Sequence, residues 1–436
     1  MGEPTYSVAW HGDAPDPSAL CAPASKPLLE RVDWVVIGGG YAGLAAARRA
    51  AASGARVLLL ERGCLRDGAS SRNGGMVHVG FGAATSALVR DFGHEGAREW
   101  IDLSRAAVRR IAELCSAEST GLAAVTGVDP QWSPTGHLEL ARAPRGAAAL
   151  EVEAELRSSL GIPVRLHDRA HTSEIACSDR FAGSLAVLEG GGGQPARFHA
   201  ALATAAVASG VDLRENVRVT GVLRGAGAMI VETTAGRIRT EHVFAGVNGL
   251  ADGAFPSLRR RLIPVGSYMI ATERLDPALL AATAGAGEMR FDTRNFLSYW
   301  RPTPDGRIAF GGRTSFWPDS MARIAAALTA RLKEIHPQLS ATSITHAWGG
   351  RLAFALDRLP RVARINGVTH VAGCAGSGVA LMTHLAEQAI DWDLGGDTPL
   401  PARRAWSPIP IPYEGRPWFL PLAGIGFAMQ DRWEER

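Results

Sequence analysis

The sequence predicts an α/β protein in which a domain with a parallel sheet and a βαβ unit is interleaved with a second, β-rich α+β domain. Three observations predict this fold. A strand, a glycine loop, a helix and a second strand follow one another near residue 40, strand and helix patterns return in the middle and near the end of the chain, and short strand-like segments lie between them. The 436 residues are enough for two domains.

The most patterned stretch is residues 32–63. Residues 32–37 are mostly β-branched or aromatic, as in a buried parallel strand, and residues 44–53 are rich in alanine and arginine without a β-branched residue, which favours a helix. The apolar residues 57–60 form a second strand. The stretch therefore predicts a βαβ unit whose glycine-rich loop joins the first strand to the helix.

The glycines of this loop have the spacing of a Rossmann-like dinucleotide site. Gly38 allows the tight turn, Gly40 lets a pyrophosphate approach the backbone, and Gly43 lets the helix pack closely on the strand. The start of the helix offers free N–H groups and the positive end of a dipole to phosphates. Glu61 follows the second strand, where a carboxylate accepts hydrogen bonds from a ribose diol. The stretch predicts an ADP-binding site that favours a free 2′-hydroxyl.

Composition limits the classes of function. The formal net charge is +3, from 46 basic and 43 acidic residues, so charge does not indicate a nucleic acid or an anionic membrane as partner. The five cysteines form no C-x-x-C pair, which argues against a redox dithiol, a zinc site and a disulfide framework. No apolar run approaches the ~18 residues of a membrane span, and no signal peptide is recognisable. We expect a cytoplasmic protein without a metal site that acts on a small molecule.

Beyond residues 32–63, helical and strand-like segments alternate along the chain. Helical patterns occur at residues 96–115, 149–160, 194–210, 319–336 and 379–390. Strand-like segments occur at residues 131–188, 211–249 and 257–317. This order predicts two interleaved domains, flanked by an irregular N-terminal arm and a proline-rich tail on the surface. The nucleotide-binding domain takes residues 32–115, 194–250 and 345–395, the second domain 116–193 and 251–344, the arm 1–31 and the tail 396–436.

Four segments give the chain a resemblance to a known superfamily. They are "VVIGGGYAGLAAA" with Glu61, "GASSRNGGM" at 68–76, "YWRPTPDGRIAFGG" at 299–312, and "WGGRLAFALDRLP" followed by "GCAGSGVAL". With these segments the chain, from about Pro4 to Trp433, resembles the D-amino-acid oxidase, glycine oxidase and sarcosine oxidase superfamily of FAD enzymes. Within it the chain is most similar to the γ-glutamylputrescine oxidase-like branch. Met76 stands where most members of that branch carry a glutamine after the two glycines.

The resemblance implies a bound FAD. The small and polar residues 68–76 suit a close approach of backbone to the isoalloxazine ring. The helix that begins near residue 378 would point its N-terminus at the flavin N1/C2=O edge, where negative charge develops on reduction. The predicted FAD-binding residues are Gly38, Gly40, Tyr41, Ala42, Gly43, Glu61, Arg62, Ser70, Ser71, Arg72, Asn73, Gly74, Gly75, Met76, Arg218, Asn248, Gly249, Gly350, Gly376, Ser377, Gly378 and Val379.

The resemblance also implies a reaction. In this superfamily a neutral amine loses a hydride from its α-carbon to flavin N5, the imine hydrolyses, and orientation matters more than an enzyme base. Arg351 is the first candidate for a substrate carboxylate, because the oxidases of small amino acids hold that group with an arginine near this point. Tyr299, Arg301 and Trp348 are candidates for the pocket wall and His78 for the flavin edge. A purely structural role is the alternative for each.

Two departures from the superfamily bear on the chemistry. Sarcosine oxidases tether FAD through a cysteine near the W-G-G segment, where residues 350–356 contain none, so we expect a noncovalent flavin. They also place a lysine beside flavin N5 to activate oxygen. The two lysines of this chain, Lys26 and Lys333, lie before the nucleotide-binding unit and on the polar side of a predicted helix. Either an arginine or a histidine takes that role, or the acceptor is not O₂.

The sequence therefore predicts an FAD enzyme that oxidises a C–N bond of an amine or amino acid, with O₂ as acceptor. Two alternatives stay open: a dehydrogenase of the same fold that reduces a quinone or a carrier protein, and a flavin-binding module without turnover. Flavin disulfide reductases are disfavoured because their C-x-x-x-x-C dithiol is absent. Aromatic hydroxylases are disfavoured because the late G-D motif is replaced by "GCAGSG".

Overall fold

Two eight-stranded sheets form the framework of the protein. The computed structural model describes residues 4–23, 26–397 and 400–434. The helices in this part of the chain are α1 (Tyr41–Ala51), α2 (Thr85–Leu114), α3 (Leu122–Thr126), α4 (Pro144–Ser159), α5 (Arg169–Ala176), α6 (Pro195–Ala208), α7 (Pro256–Arg259), α8 (Pro277–Ala284), α9 (Met321–Ile335), α10 (Gly378–Asp393) and α11 (Leu420–Glu434). The strands are β1 (Arg31–Ile37), β2 (Val57–Leu60), β3 (Met76–His78), β4 (His137–Ala141), β5 (Val164–His167), β6 (Gly183–Val187), β7 (Gly190–Gly192), β8 (Asp212–Arg214), β9 (Val219–Arg224), β10 (Met229–Thr233), β11 (Gly236–Ala245), β12 (Ile263–Thr272), β13 (Met289–Asp292), β14 (Ser298–Pro302), β15 (Ile308–Gly312), β16 (Ile344–Phe354), β17 (Arg361–Ile365) and β18 (Val368–Ala372).

The first sheet has a parallel centre. Its strand order is β17, β18, β11, β1, β2, β8, and β10 and β9 extend from β11 as an antiparallel meander. The strands β18, β11, β1, β2 and β8 run parallel, so their carboxyl ends meet at one edge. In open α/β sheets this edge is where ligands bind. The glycine-rich loop after β1 and Glu61 after β2 lie there.

Both faces of the first sheet are covered. Helices α1, α2, α6 and α10 form one apolar layer, in which the alanines of α1 and α6 let the helices approach closely. On the other face, Val32 and Val35 of β1 pack with residues of β2, β10 and β11. A parallel sheet buried on both faces is what the apolar runs of β1 and β2 predict. The predicted α/β fold is confirmed.

The second sheet is mostly antiparallel, with the order β16, β12, β15, β14, β13, β4, β6, β5. Its longest ladder joins β12 to β16, from the pair of Ile263 and Phe354 to the pair of Thr272 and Ile344. Helix α9 packs on this sheet through Ile324, Leu328, Leu332 and Ile335, the helical spacing visible in the sequence. The second sheet stands opposite the carboxyl edge of the first and closes a cavity between them.

The sheets divide the chain differently from the prediction at one strand. The predicted boundary at residue 345 places the following segment in the nucleotide-binding domain, whereas β16 pairs with β12 in the second sheet. Gly349 leaves room beside this strand, because a Cβ atom on it would lie 2.8 Å from the Tyr268 ring. The other domain boundaries stay predictions.

The arm and the tail both pack on the framework. In the arm, Trp10 is buried, and Thr5 exchanges backbone hydrogen bonds with the edge of β16. The tail ends in α11, a helix that the sequence reading did not predict. Its Asp431 accepts hydrogen bonds from both nitrogens of Asn295 and from the Phe296 amide. Residues 1–3, 24–25, 398–399 and 435–436 of the predicted arm and tail lie outside the described residues.

Other helices differ from prediction mainly in length. The helix predicted from residue 96 follows a shorter helical segment that begins at Thr85, and Gly93, with φ of 69°, interrupts the helical backbone between the two. Helix α5, Arg169–Ala176, lies in a region whose residue pattern predicts strands, so the sequence does not predict this helix. In the part of the chain that the structure describes, no helix is long and apolar enough to cross a bilayer.

A buried ion cluster joins three helices of the first sheet, and its removal should destabilise the protein. Glu387 of α10 accepts hydrogen bonds from Arg48 of α1 at 2.7 Å and from Arg110 of α2 at 2.7 and 3.1 Å. Burial raises the pKa of Glu387, but hydrogen bonds and charges from Arg110 and Arg48 outweigh burial and hold it below the usual range. Glu387→Gln should cost about 1 to 3 kcal/mol and lower the melting temperature at pH 7.

The effect should depend on pH. A carboxyl group whose pKa is lower in the folded state stabilises the protein above its unfolded pKa of about 4.3, and this stabilisation fades as the pH falls further. The difference in melting temperature between wild type and Glu387→Gln should therefore shrink below about pH 4. Asp91→Asn, which removes the exposed ion pair with Arg90, serves as control and should leave the melting temperature unchanged. Equal shifts in the two variants would contradict a structural role for the cluster.

Candidate active site

A cavity of about 1320 Å³ lies between the carboxyl edge of the first sheet and the second sheet. The structure brings most of the predicted site residues to its wall. Those that line it are Gly38, Gly40, Tyr41, Ala42, Glu61, Arg62, Ser70, Arg72, Asn73, Gly74, Met76, His78, Arg218, Asn248, Gly249, Tyr299, Trp348, Gly350, Arg351, Gly376, Ser377, Gly378 and Val379. The predicted residues Gly43, Ser71 and Gly75 do not line it.

The loop after β1 brings bare backbone to the cavity. Gly38 has φ of +100°, which favours glycine, and a Cβ atom on Gly43 would lie 1.7 Å from the Gly38 carbonyl oxygen. Gly43 is therefore needed for the packing of α1 on β1, which explains why it lies behind the cavity wall. A Cβ atom on Gly40 would lie 2.9 Å from Ser70 Oγ, which accepts a hydrogen bond from the Tyr41 amide. The N-terminus of α1 faces a narrow space that suits a phosphate group.

The carboxylate of Glu61 is fixed at the same edge. It accepts hydrogen bonds from the amides of Gly39 at 2.8 Å and Gly63 at 3.1 Å. A carboxylate has about four lone-pair positions, so Glu61 keeps acceptor capacity toward the cavity. The glycine loop, this acceptor and the size of the cavity together fit an adenine dinucleotide.

The loop at residues 68–76 is held in shape by its own asparagine. Asn73 Nδ2 donates to the carbonyl oxygens of Ala69 at 3.1 Å and Ser70 at 2.9 Å, and its Oδ1 accepts from the Gly75 amide at 2.8 Å. Asn73 Nδ2 also lies 3.2 Å from the Tyr41 hydroxyl at the start of α1. The asparagine thus ties this loop to itself and to the phosphate loop, and the backbone of Gly74 faces the cavity.

Two residues of this region point into the protein. The Ser71 hydroxyl is buried and donates to the Arg66 carbonyl, so it is not among the polar groups that face the cavity. Arg301 also lies behind the loop, where its guanidinium donates to the carbonyls of Gly75 at 3.0 Å and Gly193 at 2.9 Å. Arg301 therefore supports the loop from behind, and the pocket-wall role considered for it does not fit its position.

The N-terminus of α10 borders the other side of the cavity. Asn248 fixes the loop before it, because its Oδ1 accepts from the Gly373 amide at 3.0 Å. His78 Nε2 lies 3.2 Å from Ser377 Oγ. Burial, followed by the charge of His137, lowers the pKa of His78 to about 4, so its ring is neutral near pH 7. The position suits the predicted flavin edge, and the role of His78 there stays a prediction.

The second sheet contributes an aromatic wall. Trp348 is buried and its Nε1 donates to the Arg72 carbonyl at 2.8 Å, which joins β16 to the loop at residues 68–76. The Tyr299 ring packs against Gly74, since a Cβ atom there would lie 3.2 Å from the ring. The Tyr299 hydroxyl lies 3.1 Å from Ser267 Oγ, and burial raises its pKa, so it is a neutral hydrogen-bonding group at the cavity wall.

Two arginines of the second sheet line the cavity. Arg351 of β16 is exposed, and its role as carboxylate ligand stays a prediction. Arg313, which the sequence analysis missed, follows β15 and lies deeper, with Nε donating to the Gly266 carbonyl at 3.0 Å. Burial lowers the pKa of Arg313 to about 10, so the guanidinium is charged at neutral pH. Its position directly after the segment at 299–312 was the available signal.

The lysines lie elsewhere. Lys26 Nζ is 3.9 Å from Asp212, Lys333 donates to the Ser340 carbonyl, and neither belongs to the described residues that line the cavity.

The C-terminal tail reaches the cavity, which the sequence does not predict. Phe427 and Trp433 of α11 line it, and Arg145 stacks over the Trp433 ring at 3.6 Å. The site thus has a backbone-rich side on the first sheet and a side-chain-rich side on the second.

The fold and this cavity define a dinucleotide-dependent enzyme with two interleaved sheets. The chain belongs to the DAO family of FAD dependent oxidoreductases, whose family model matches residues 33–392. The protein is therefore an FAD-dependent oxidoreductase, as the sequence predicts.

Relatives and solved structures agree with this family. The chain is 30% identical to the "Probable oxidoreductase OrdL" of Rhizobium meliloti (strain 1021) over 384 residues, 86% of each chain. It is 28% identical to the γ-glutamylputrescine oxidoreductase of Escherichia coli (strain K12), over 84% of each chain. Among solved structures it is similar to the glycine oxidase of Geobacillus kaustophilus, with a TM-score of 0.73, 21% identity, and coverage of 85% of this chain and 97% of that one. The similarity to this glycine oxidase is a similarity of fold.

The phosphate loop can be tested by adding a side chain where the structure has none. Gly40→Val should remove nearly all FAD from the purified protein, because the new side chain meets Ser70 Oγ and fills the space in front of the α1 amides. Flavin content per protein, from absorbance after denaturation, is the measurement. Gly253→Val is the matched control, because that glycine is exposed with nothing within 4 Å of its Cβ position and should keep normal flavin content. A folded Gly40→Val protein with full flavin content would contradict a phosphate role.

Proposed function

We propose that the protein oxidises a C–N bond of an amine or amino acid to an imine, which then hydrolyses, with O₂ as the acceptor. The observation that carries the proposal is the continuity of the cavity. It runs from the dinucleotide loops past Gly74 to a wall formed by Tyr299, Ser267 and Arg313, where a small polar molecule can lie beside the flavin loop. The names of the relatives, which include γ-glutamylputrescine oxidoreductase, support an amine as substrate.

Different parts of the cavity wall would bind the two halves of FAD and the substrate. The loop at residues 38–43 and Glu61 would hold the ADP half of FAD, and the loop at residues 68–76 and the N-terminus of α10 would hold the flavin half. When bound, FAD supplies the hydride acceptor and passes the electrons to the final acceptor. The residues of this chain bind and orient the substrate and exclude water.

The polar groups of the second sheet are suited to orientation rather than to proton removal. Tyr299 is a neutral hydroxyl, and Arg313 is a permanent cation, so neither accepts a proton from the substrate at neutral pH. An amine that enters neutral needs no such base. Trp348, held by its bond to the Arg72 carbonyl, contributes an apolar wall that keeps this end of the cavity dry.

The identity of the electron acceptor is the second part of the proposal. Since neither lysine lies near the cavity wall, an arginine or the neutral His78 would have to favour the reaction with O₂. Arg72 belongs to the loop at residues 68–76 and lines the cavity, so it is the cation that this loop itself supplies. A dehydrogenase that passes electrons to a quinone or a carrier protein remains the alternative.

We expect the purified protein to be yellow and to release FAD, not FMN, on denaturation with acid or heat. FMN lacks the adenosine ribose that Glu61 would hold, and residues 350–356 contain no cysteine for a tether. Chromatography of the supernatant against FAD and FMN standards is the measurement. Flavin that stays on the precipitated protein would contradict the noncovalent assignment.

Anaerobic mixing with a panel of amines and amino acids tests the reaction itself. At least one compound should bleach the flavin absorbance near 450 nm, because the cofactor is reduced as the C–N bond is oxidised. Admission of O₂ should restore the colour and form peroxide. Bleaching followed by slow reoxidation without peroxide would instead favour the dehydrogenase. A flavin that no amine bleaches would overturn the proposed function.

A further inference from the structure

Helix α11 forms part of the cavity wall, although it lies outside the segment that the family model matches. That match ends at residue 392, whereas α11 is Leu420–Glu434. Membership of the family therefore does not determine what this wall selects, and its own side chains have to be considered. The tail residues that line the cavity are Phe419, Leu420, Ala423, Phe427, Trp433 and Glu434.

Buried contacts fix the helix in this position. Asp431 is buried and accepts hydrogen bonds from the Asn295 backbone amide at 2.8 Å, from Asn295 Nδ2 at 2.9 Å and from the Phe296 backbone amide at 3.1 Å. Gly424 lets the helix lie directly on the Phe316 ring, because a Cβ atom on it would be 2.9 Å from that ring. Helix α11 is therefore held by the loop after β13 and by the loop after β15.

The interior of this end of the cavity is apolar. The ring centroids of Phe316 and Phe427 are 6.2 Å apart. Phe316, Phe419 and Leu420 pack against one apolar cluster, which includes Val265 of β12. We call this end of the cavity the aromatic compartment, and its lining side chains are Leu297, Phe316, Phe419, Leu420 and Phe427.

Polar groups that line the cavity near the aromatic compartment are engaged with other residues. Asp292 is buried and accepts hydrogen bonds from Arg294 at 3.0 Å and from the Ser298 backbone amide at 2.9 Å. Arg145 stacks over Trp433, with its guanidinium carbon 3.6 Å from the ring centroid. A polar ligand group placed here would lose its hydrogen bonds to water without matching partners, which is costly, whereas an apolar group gains by leaving water. The compartment therefore suits an apolar part of a ligand.

The aromatic compartment is continuous with the polar wall beside the flavin loop. The guanidinium carbon of Arg313 is 5.0 Å from the centroid of the Phe316 ring, and Arg313 and Tyr299 line the cavity together with Gly74. The whole cavity measures about 1320 Å³. Because ordinary ligand sites measure about 300 to 1,000 Å³, this cavity has room for a cofactor and for a substrate with a sizeable substituent.

We propose that α11 determines the substrate specificity. Phe427, together with Phe316, binds a bulky apolar substituent, so that the enzyme acts on amines that carry an aryl or a long alkyl group. The nitrogen of such an amine lies at the polar wall near Tyr299, and its substituent lies in the aromatic compartment. This inference rests on the proposed function for the identity of the ligand as a substrate, but binding to the FAD-loaded protein can be measured without turnover.

Two amines that lack a hydrogen on the α-carbon test the compartment, because they cannot lose a hydride to the flavin. One is tert-butylamine, and the other is its analogue in which one methyl group is extended by a benzyl group. Both carry the same amine group, so the difference in binding reports the apolar extension. Calorimetric titration of the FAD-loaded wild type should give a Kd at least about 30-fold lower for the benzyl analogue, since each buried CH₂ group contributes about 4-fold.

Variants of α11 assign the preference to its inner face. Phe427→Ala should reduce the preference by about 10-fold or more and change the Kd of tert-butylamine by less than about 3-fold, because the small amine does not reach the compartment. Phe427→Gln, which keeps a long side chain but places an amide there, should do the same. Met429→Ala is the matched control on the same helix. Met429 is 66% exposed and does not belong to the described residues that line the cavity, so both Kd values should stay as in the wild type.

Flavin content and melting temperature establish that each variant is folded and loaded, and the glutamine variant decides the question if the alanine variant loses FAD. Equal affinity of the wild type for the two amines, or no binding of the benzyl analogue, would overturn the inference. So would an unchanged preference in the loaded Phe427 variants, or an equal loss of preference in Met429→Ala.

The two proposals can fail separately. A preference that depends on Phe427, in a protein whose flavin no amine bleaches, would retain the aromatic compartment and overturn the oxidase proposal. Bleaching by amines, with a preference that is independent of Phe427, would do the reverse. For amines that bleach the flavin, kcat/KM should be higher for arylalkylamines than for methylamine, and Phe427→Ala should narrow that ratio by a factor similar to the loss of binding preference.

Discussion

The close approach of three backbones at the carboxyl edge of the first sheet determines where everything else in the site can lie. A Cβ atom on Gly43 would be 1.7 Å from the Gly38 carbonyl, one on Gly38 would be 3.2 Å from the Gly246 carbonyl, and one on Gly246 would be 3.0 Å from the Gly43 amide. Only glycine at these positions lets β1, α1 and β11 meet so closely. The N-terminus of α1 is thereby fixed over the strand ends, and the dinucleotide site follows from that contact.

The interleaved connectivity has a second consequence, because the loops that meet the cavity are fixed from both sheets. Asn73 holds its own loop, Arg301 supports it from behind, and Trp348 of the second sheet donates to the Arg72 carbonyl within it. The polar side chains therefore hold the loop in place, and the backbone of the loop faces the cavity. A loop held by buried hydrogen bonds on several sides is a preorganised platform, which suits catalysis by orientation.

The sequence predicted those parts of the site whose signals are local. The strand at residues 57–60, the turn at Gly38 and the acceptor Glu61 depend on periodicity and spacing within one βαβ unit, and the structure has them where expected. Ser71 and Arg313 could not be placed in that way, because the direction of a side chain depends on which distant strand packs against it. The cavity contacts of α11 likewise depend on a long-range contact, between Asp431 and the loop around Asn295.

The charges around the cavity bear on the proposed reaction. The acids that line it, such as Glu139 with Arg157, are largely engaged by arginines, while Arg313 lines the cavity and donates from its Nε to the Gly266 carbonyl. A free ammonium group is repelled by that cation, so the approach of the amine in its neutral form is favoured, which is the form that can lose a hydride. A half-buried arginine in the cavity wall can therefore favour the protonation state of the amine that reacts.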